Sequence, residues 1–237
     1  MYKNKTKRNF IITGLLFFLS VLFTLAAKTI DVRAIGPQNS SVGFASINQF
    51  VFHLFGVNLI WYDITDWLGV TALLFAFGFA IFGFCQLIKR KHLLKVDYHI
   101  LLLGVFYTLV AAVYLFFECV IINYRPIIMD TALEASYPSS HTMIVICIMT
   151  TAMMMFHHLF KNKRYILITA DIISILIIGI TVIGRLLSGV HWFTDILAGI
   201  LISSALIMLY YSLVTFTENK VNSGYTKEND GHKDKTF

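Results

Sequence analysis

Residues 98–122 read YHILLLGVFYTLVAAVYLFFECVII, an apolar run with a single carboxylate, Glu118, near its far end. A helix needs about 20 mostly apolar residues to cross the hydrocarbon core of a bilayer, so this stretch is long enough to span one. Arg125-Pro126 follows, and the proline disfavours helical geometry at the residue before it, which marks a stop. Five more runs of the same kind occur, at about 10–27, 66–88, 140–160, 165–183 and 192–216. The predicted fold class is all-α, a polytopic membrane protein with six transmembrane helices forming one domain over 1–216. The remaining 217–237 is polar and hydrophobe-poor, and is expected to be a disordered tail.

Composition points the same way. With 57% hydrophobic and 14% charged residues, the chain of 237 has too little polar surface to cover a water-soluble globule. The formal net charge of +6 does not imply a nucleic-acid partner, because the basic residues fall in short clusters between apolar runs rather than along one polar face. Cys85, Cys119 and Cys147 each lie inside an apolar run, with no disulfide or metal-ligand spacing, and read as small packing residues.

Those basic clusters orient the chain. All but four of the 19 Lys and Arg residues precede the first run, separate the second from the third or the fourth from the fifth, or follow the sixth. By the positive-inside rule both termini are cytoplasmic, and the connections at 28–65, 123–139 and 184–191 face outward. A bacterial plasma membrane is the expected location. The first run also has features of a cleaved signal peptide, a basic start and a small-residue TLAAK end, but it is long for an apolar region of ~7–15 residues. In the first outward segment, Ile47, Phe50, Val51, Leu54 and Phe55 fall at helical spacing, predicting a helix over about 47–60, either lying along the membrane interface or packed against the spans.

Ionisable groups at membrane depth are costly, so those at span ends carry a functional reading. Three clusters share the outward face. The first is Arg125-Pro126. The second is SYPSSHT, where Ser139 or Ser140 can cap the fourth span beside His141, a helix start that suits an anion. The third is GRLLSGVHWFTD, with Arg185, His191 and Asp195. If His191 and Asp195 lie on one helix, their four-residue spacing puts them on one face, where the carboxylate can orient the imidazole. Each cluster alone is explained by anchoring, capping or a satisfied His–Asp pair. Together, two arginines with planar forks suited to phosphate oxygens and two histidines able to divide nucleophile and acid roles suggest phosphoryl transfer.

The order Arg-Pro, Pro-Ser-x-His, Arg-x5-His-x3-Asp resembles the type 2 phosphatidic acid phosphatase (PAP2) superfamily, in its membrane lipid phosphatase branch. The resemblance implies a PAP2-like helical core and a lipid phosphate substrate in the bilayer. It also implies an active site at the outer membrane face with no cofactor or metal. His191 would attack phosphorus to form a phosphohistidine, Asp195 would hold its ring, and His141 would protonate the leaving oxygen. Arg125, Arg185 and Ser139 would bind the phosphoryl oxygens, with Ser140 beside them. Gly184 stands where the family usually has Ser, and Ser140 where it usually has Gly. Glu118 stands where the family's first motif, Lys-x6-Arg-Pro, has its phosphate-binding Lys. Glu118 can position Arg125 or Arg185, donate to phosphate as a neutral acid, or bind a headgroup hydroxyl, and arginine positioning ranks first.

The function predicted is hydrolysis of a terminal phosphate of phosphatidate, phosphatidylglycerophosphate or a polyprenyl diphosphate. The alternatives are a lipid-to-lipid phosphotransferase and a catalytically weakened lipid-binding or transport protein, the last suggested only by Glu118. His99, His157, His158 and Asp171 fall at the other end of their spans and are read as outside this site. Met153–Met155 read as packing or lipid contact.

Overall fold

The computed structural model describes the backbone of residues 2–233 and the side chains of 4–221. The described secondary structure is helical, in the order α1 (Tyr2–Thr29), α2 (Ala45–Phe55), α3 (Leu59–Arg90), α4 (Tyr98–Cys119), α5 (Ser140–Leu159), α6 (Arg164–Ser188) and α7 (Phe193–Lys233). Six of these, all but α2, are long and apolar enough to cross a membrane. Large apolar side chains stay exposed along them, among them Phe18, Trp67, Phe77, Val105 and Ile175. A helix satisfies its own backbone groups, so lipid can surround such a face where water cannot.

Local chemistry sets the helix boundaries. Asn58 caps α3 by accepting from Ile60 N at 3.1 Å. Asp97 caps α4 by accepting from His99 N at 2.9 Å. Gly189 ends α6 at φ +67°, and a Cβ there would fall 2.2 Å from the carbonyl oxygen of Gly56, so the end of α6 can sit against the α2–α3 turn only as glycine. Asn58 N donates to Ser188 O at 3.1 Å across the same junction.

The core lies between α4, α5 and α7, where Leu103, Phe106, Met143, Cys147, Met155, Leu206 and Tyr210 are buried together. Helices α3, α5 and α6 form a second layer through Ala72, Val145, Met149 and Ile177. Helix α1 runs along α7, with Thr13 Oγ1 3.1 Å from Ser212 Oγ and Asn219 Nδ2 donating to Thr6 Oγ1 at 2.9 Å.

Several boundaries differ from the sequence reading, two of them at the α2–α3 turn. The second span begins at Leu59, seven residues before the predicted 66, because Asp63 and Asp66 interrupt the apolar run without interrupting the helix. The preceding helix ends at Phe55, not near 60, because Gly56 turns the chain at φ +67°. At the other end, α7 continues to Lys233, into the segment for which the sequence predicts a polar tail.

Candidate active site

The α4–α5 connection folds back on itself. Tyr124 and Ala135 form an antiparallel bridge, Arg125 N donates to Glu134 O at 3.0 Å, and Ser136 N donates to Asn123 O at 3.0 Å. This closed loop is tied to the start of α7. Asn123 Nδ2 donates to Asp195 Oδ1 at 3.1 Å, Trp192 Nε1 donates to Tyr124 O at 2.8 Å, and Ser139 N donates to Asp195 O at 2.9 Å. Helix α2 secures the same point through Asn48, whose Oδ1 accepts from Thr194 N at 3.1 Å. The loop that carries Arg125, the start of α5 and the α6–α7 junction are thereby held as one unit.

His191 sits inside this unit, 4% exposed. Its Nδ1 lies 3.0 Å from the carbonyl oxygen of Ser136. A carbonyl only accepts, so this bond requires the proton on Nδ1 and leaves the Nε2 lone pair free. That Nε2 is buried with no hydrogen-bond partner. Burial, then the charges of Arg125 and Arg185 and the nearby His141, hold the imidazole well below its ordinary pKa, so the ring is neutral.

Asp195 does not hold the His191 ring, contrary to the sequence expectation. Helix α7 begins at Phe193, so His191 precedes it and the four-residue face-sharing rule does not apply. Asp195 instead occupies the third position of α7 and reaches back, Oδ2 accepting from Trp192 N at 3.0 Å, as the carboxylate of a capping box does. It acts on His191 through the loop, because Asn123, which it binds, carries the strap that places Ser136.

The arginines have partners that the sequence did not reveal. Arg185, fully buried, pairs through Nη2 with Asp66 Oδ1 on α3, and its guanidinium lies 4.8 Å from the Tyr62 ring centroid. The same Asp66 oxygen is 3.1 Å from His141 Nε2. Arg125 Nε lies 2.8 Å from Glu134 Oε2. Among the described residues Glu118 forms an ion pair with neither arginine, so the positioning role ranked first for it belongs to Asp66 and Glu134. Glu118 does line a small cavity of about 20 Å³ together with Arg125, Ser140 and His191. A neighbouring cavity of about 360 Å³, sharing Tyr114 and Ser140 with the first, is lined by Asp66, His141 and the apolar Val70, Leu73 and Ile144.

Several polar atoms here are buried without a protein partner: Arg125 Nη1, Arg185 Nε and Nη1, Ser139 Oγ, His141 Nδ1 and His191 Nε2. Buried donors are nearly always satisfied, so a concentration of guanidinium donors around one free imidazole nitrogen is a chemical signature of an anion with several oxygens. Ser139 stands at the N-cap position of α5, but its hydroxyl caps nothing and its N–H is committed to Asp195 O. Gly184 also has a local reason: a Cβ there would fall 2.5 Å from Thr65 Cγ2 and 3.1 Å from the Trp61 ring, where α6 meets α3.

The PAP2 superfamily model matches residues 105–218, the segment containing Glu118, Arg125, His141, Arg185, His191 and Asp195. This segment belongs to the PAP2 superfamily. Among solved structures the fold is similar to that of the first transmembrane PAP2 type phosphatidylglycerolphosphate phosphatase from Bacillus subtilis. The TM-score is 0.60 and the identity 18%, over 85% of this chain and 94% of that one. The comparison with curated proteins gave no match. The PAP2 segment begins within α4, so Asp66 and Tyr62, which complete the Arg185 environment, come from outside it.

Proposed function

We propose that this chain is a membrane lipid phosphatase acting through His191. The observation that carries the reading is the neutral, buried His191 ring, anchored at Nδ1, with its free Nε2 close to two arginines that have donors to spare. Nε2 attacks phosphorus and the bond to the lipid oxygen breaks. His141, protonated as the phosphate anion binds beside it, gives its Nδ1 proton to that oxygen, while Asp66 holds the Nε2 end of the ring. In the second half-reaction neutral His141 takes a proton from water as the water displaces His191, and inorganic phosphate leaves. Arg125 and Arg185 neutralise the equatorial oxygens throughout.

A lipid substrate is supported by the cavity beside His141, whose Val70, Leu73 and Ile144 lie on spans that face the bilayer. Phosphatidylglycerophosphate, the substrate named for the structural neighbour, is the first candidate, followed by phosphatidate and polyprenyl diphosphates. The basic clusters lie at the helix ends opposite His191, which supports cytoplasmic termini and an outward-facing site. The test is phosphate release from a panel of these lipids by purified protein, with and without chelator, beside a His191→Ala control. Release lost in the control supports the reading, and release that survives it overturns the assignment of the nucleophile.

A further inference from the structure

At the opposite end of the bundle a second group of titratable side chains closes around a cavity of about 440 Å³. Ser140 and His158 mark the two ends of α5, and 18 residues at about 1.5 Å each separate this group from the active site by roughly 27 Å. Asp97 precedes α4, His99 lies in its first turn, His158 in the last turn of α5, and Glu218 on α7. His158 Nε2 is 3.0 Å from Asp97 Oδ2, His99 Nδ1 is 3.1 Å from Asp97 Oδ1, and His99 Nε2 is 3.3 Å from Glu218 Oε1. The two imidazoles stack with centroids 3.5 Å apart and planes at 28°.

Three interlocked His–carboxylate pairs do not account well for this geometry. The imidazoles stack closer than the separation of about 4.5–7 Å that aromatic pairs ordinarily prefer, so something besides ring stacking draws them together. A shared cation does account for it. One ligand atom each from Asp97, His99 and His158 lie within 4.8 Å of one another. In a tetrahedral site with bonds of about 2.0–2.2 Å, neighbouring ligand atoms sit about 3.3–3.6 Å apart; the imidazole nitrogens of His158 and His99 lie 3.0 and 3.1 Å from the two Asp97 oxygens, so small side-chain shifts bring the three groups onto one ion.

We propose that Asp97, His99 and His158 bind one divalent transition-metal ion of the zinc class, with Glu218 as the outer carboxylate that fixes the His99 ring. Asp97 and His158 Nε2 coordinate together with His99 Nδ1. The His99 Nε2–H then donates to Glu218, as metal-bound imidazoles commonly do to a carboxylate. Two nitrogens and one oxygen suit zinc, nickel or copper better than magnesium or calcium. The fourth position opens to the cavity, which Lys5, Lys161 and Tyr211 also line. Bound there, the ion clamps the start of α4 and the end of α5, and through Glu218 reaches α7, well away from the phosphate chemistry.

The test is isothermal titration of zinc ion into purified, tag-free, chelator-treated protein, with thermal unfolding measured in parallel. We expect one ion per chain and a rise in Tm in the wild type. Affinity should fall at least about tenfold in His158→Ala, with the rise in Tm lost. His157→Ala changes the adjacent histidine, which pairs with Asp171 at 2.9 Å, and should leave binding intact. His191→Ala should also leave it intact, which separates this site from the catalytic one. The absence of stoichiometric binding overturns the proposal, as does binding that survives His158→Ala or disappears in His191→Ala.

Discussion

The carbonyl oxygen of Ser136 lies 3.0 Å from His191 Nδ1 and so decides which nitrogen of His191 is free. The strap that carries Ser136 is bonded to Asn123, and Asn123 to Asp195, so the carboxylate acts on the His191 ring at one remove. This relay explains why Asp195 belongs to the site without touching the ring. It also separates two roles that variants can distinguish, the tautomer set by the strap and the phosphate clamp proposed for the arginines.

Among the described residues Asp66 is the one acid that touches both Arg185 and His141. Asp66→Asn should lower kcat about tenfold to a hundredfold, less than the ~10²–10⁴-fold that an acid–base group itself contributes because Asp66 acts through His141, and should raise KM through Arg185. Asp66→Glu should recover part of kcat, and Asp63→Asn, an exposed position one turn away, should change neither. Steady-state kinetics on the lipid that is hydrolysed checks this, and an unaltered Asp66→Asn enzyme contradicts it.

The sequence made the six spans and most of the residues of the proposed phosphate site legible because each rests on short-range pattern. Apolar length marks a span, and Arg125, Ser139, His141, Arg185 and His191 sit in compact motifs. Asp66 was not legible: it stands 119 positions from Arg185 and belongs to no motif. Glu134 lay unremarked in a connection whose hairpin-like closure depends on backbone bonds that no side-chain pattern announces. Asp195 was found but given the wrong partner, since its spacing from His191 implies contact only if both are helical, and His191 is not.

Protonation of His191 should set an acid limit on both activity and stability. Its folded pKa lies below the ordinary value of about 6.5. Below about pH 6.5 the unfolded chain therefore binds a proton that the folded chain refuses. The stability associated with neutral His191 is complete above that pH and is lost as pH falls from there towards the folded pKa. Tm measured against pH should fall more steeply below pH 6.5 in the wild type than in His191→Gln, and the limb of kcat/KM from His191 should lie below 6.5. Equal slopes, or a limb at or above 6.5, contradict the burial argument.

Gly184→Ser restores the residue usual in the family but forces a Cβ against Thr65 and Trp61. Overpacking of this kind costs about 1–3 kcal/mol, so Tm should fall without any gain in kcat. An equally stable or more active Gly184→Ser protein shows that α3 and α6 can separate, and that the close approach is not needed.

Glu118 lines the cavity with Arg125 and His191, yet both arginines already have acidic partners. Glu118→Lys should therefore strengthen phosphate binding without disturbing the clamp, lowering KM about threefold to tenfold at similar or higher kcat, as expected for a new charged contact of about 1 kcal/mol. A collapse of kcat means that Glu118 itself contacts the substrate in a way that a cation cannot replace.

The central claim is that His191 carries the phosphoryl group on the nitrogen not held by Ser136. Rapid quenching of the enzyme with a phosphate-labelled lipid substrate under alkaline conditions, followed by peptide mapping and phosphorus NMR of the trapped species, tests this directly. The account predicts acid-labile phosphate on His191, attached at Nε2 and absent from His191→Ala. Label on another residue, attachment at Nδ1, or turnover with no phosphoenzyme under conditions that trap a PAP2 enzyme in parallel would contradict it.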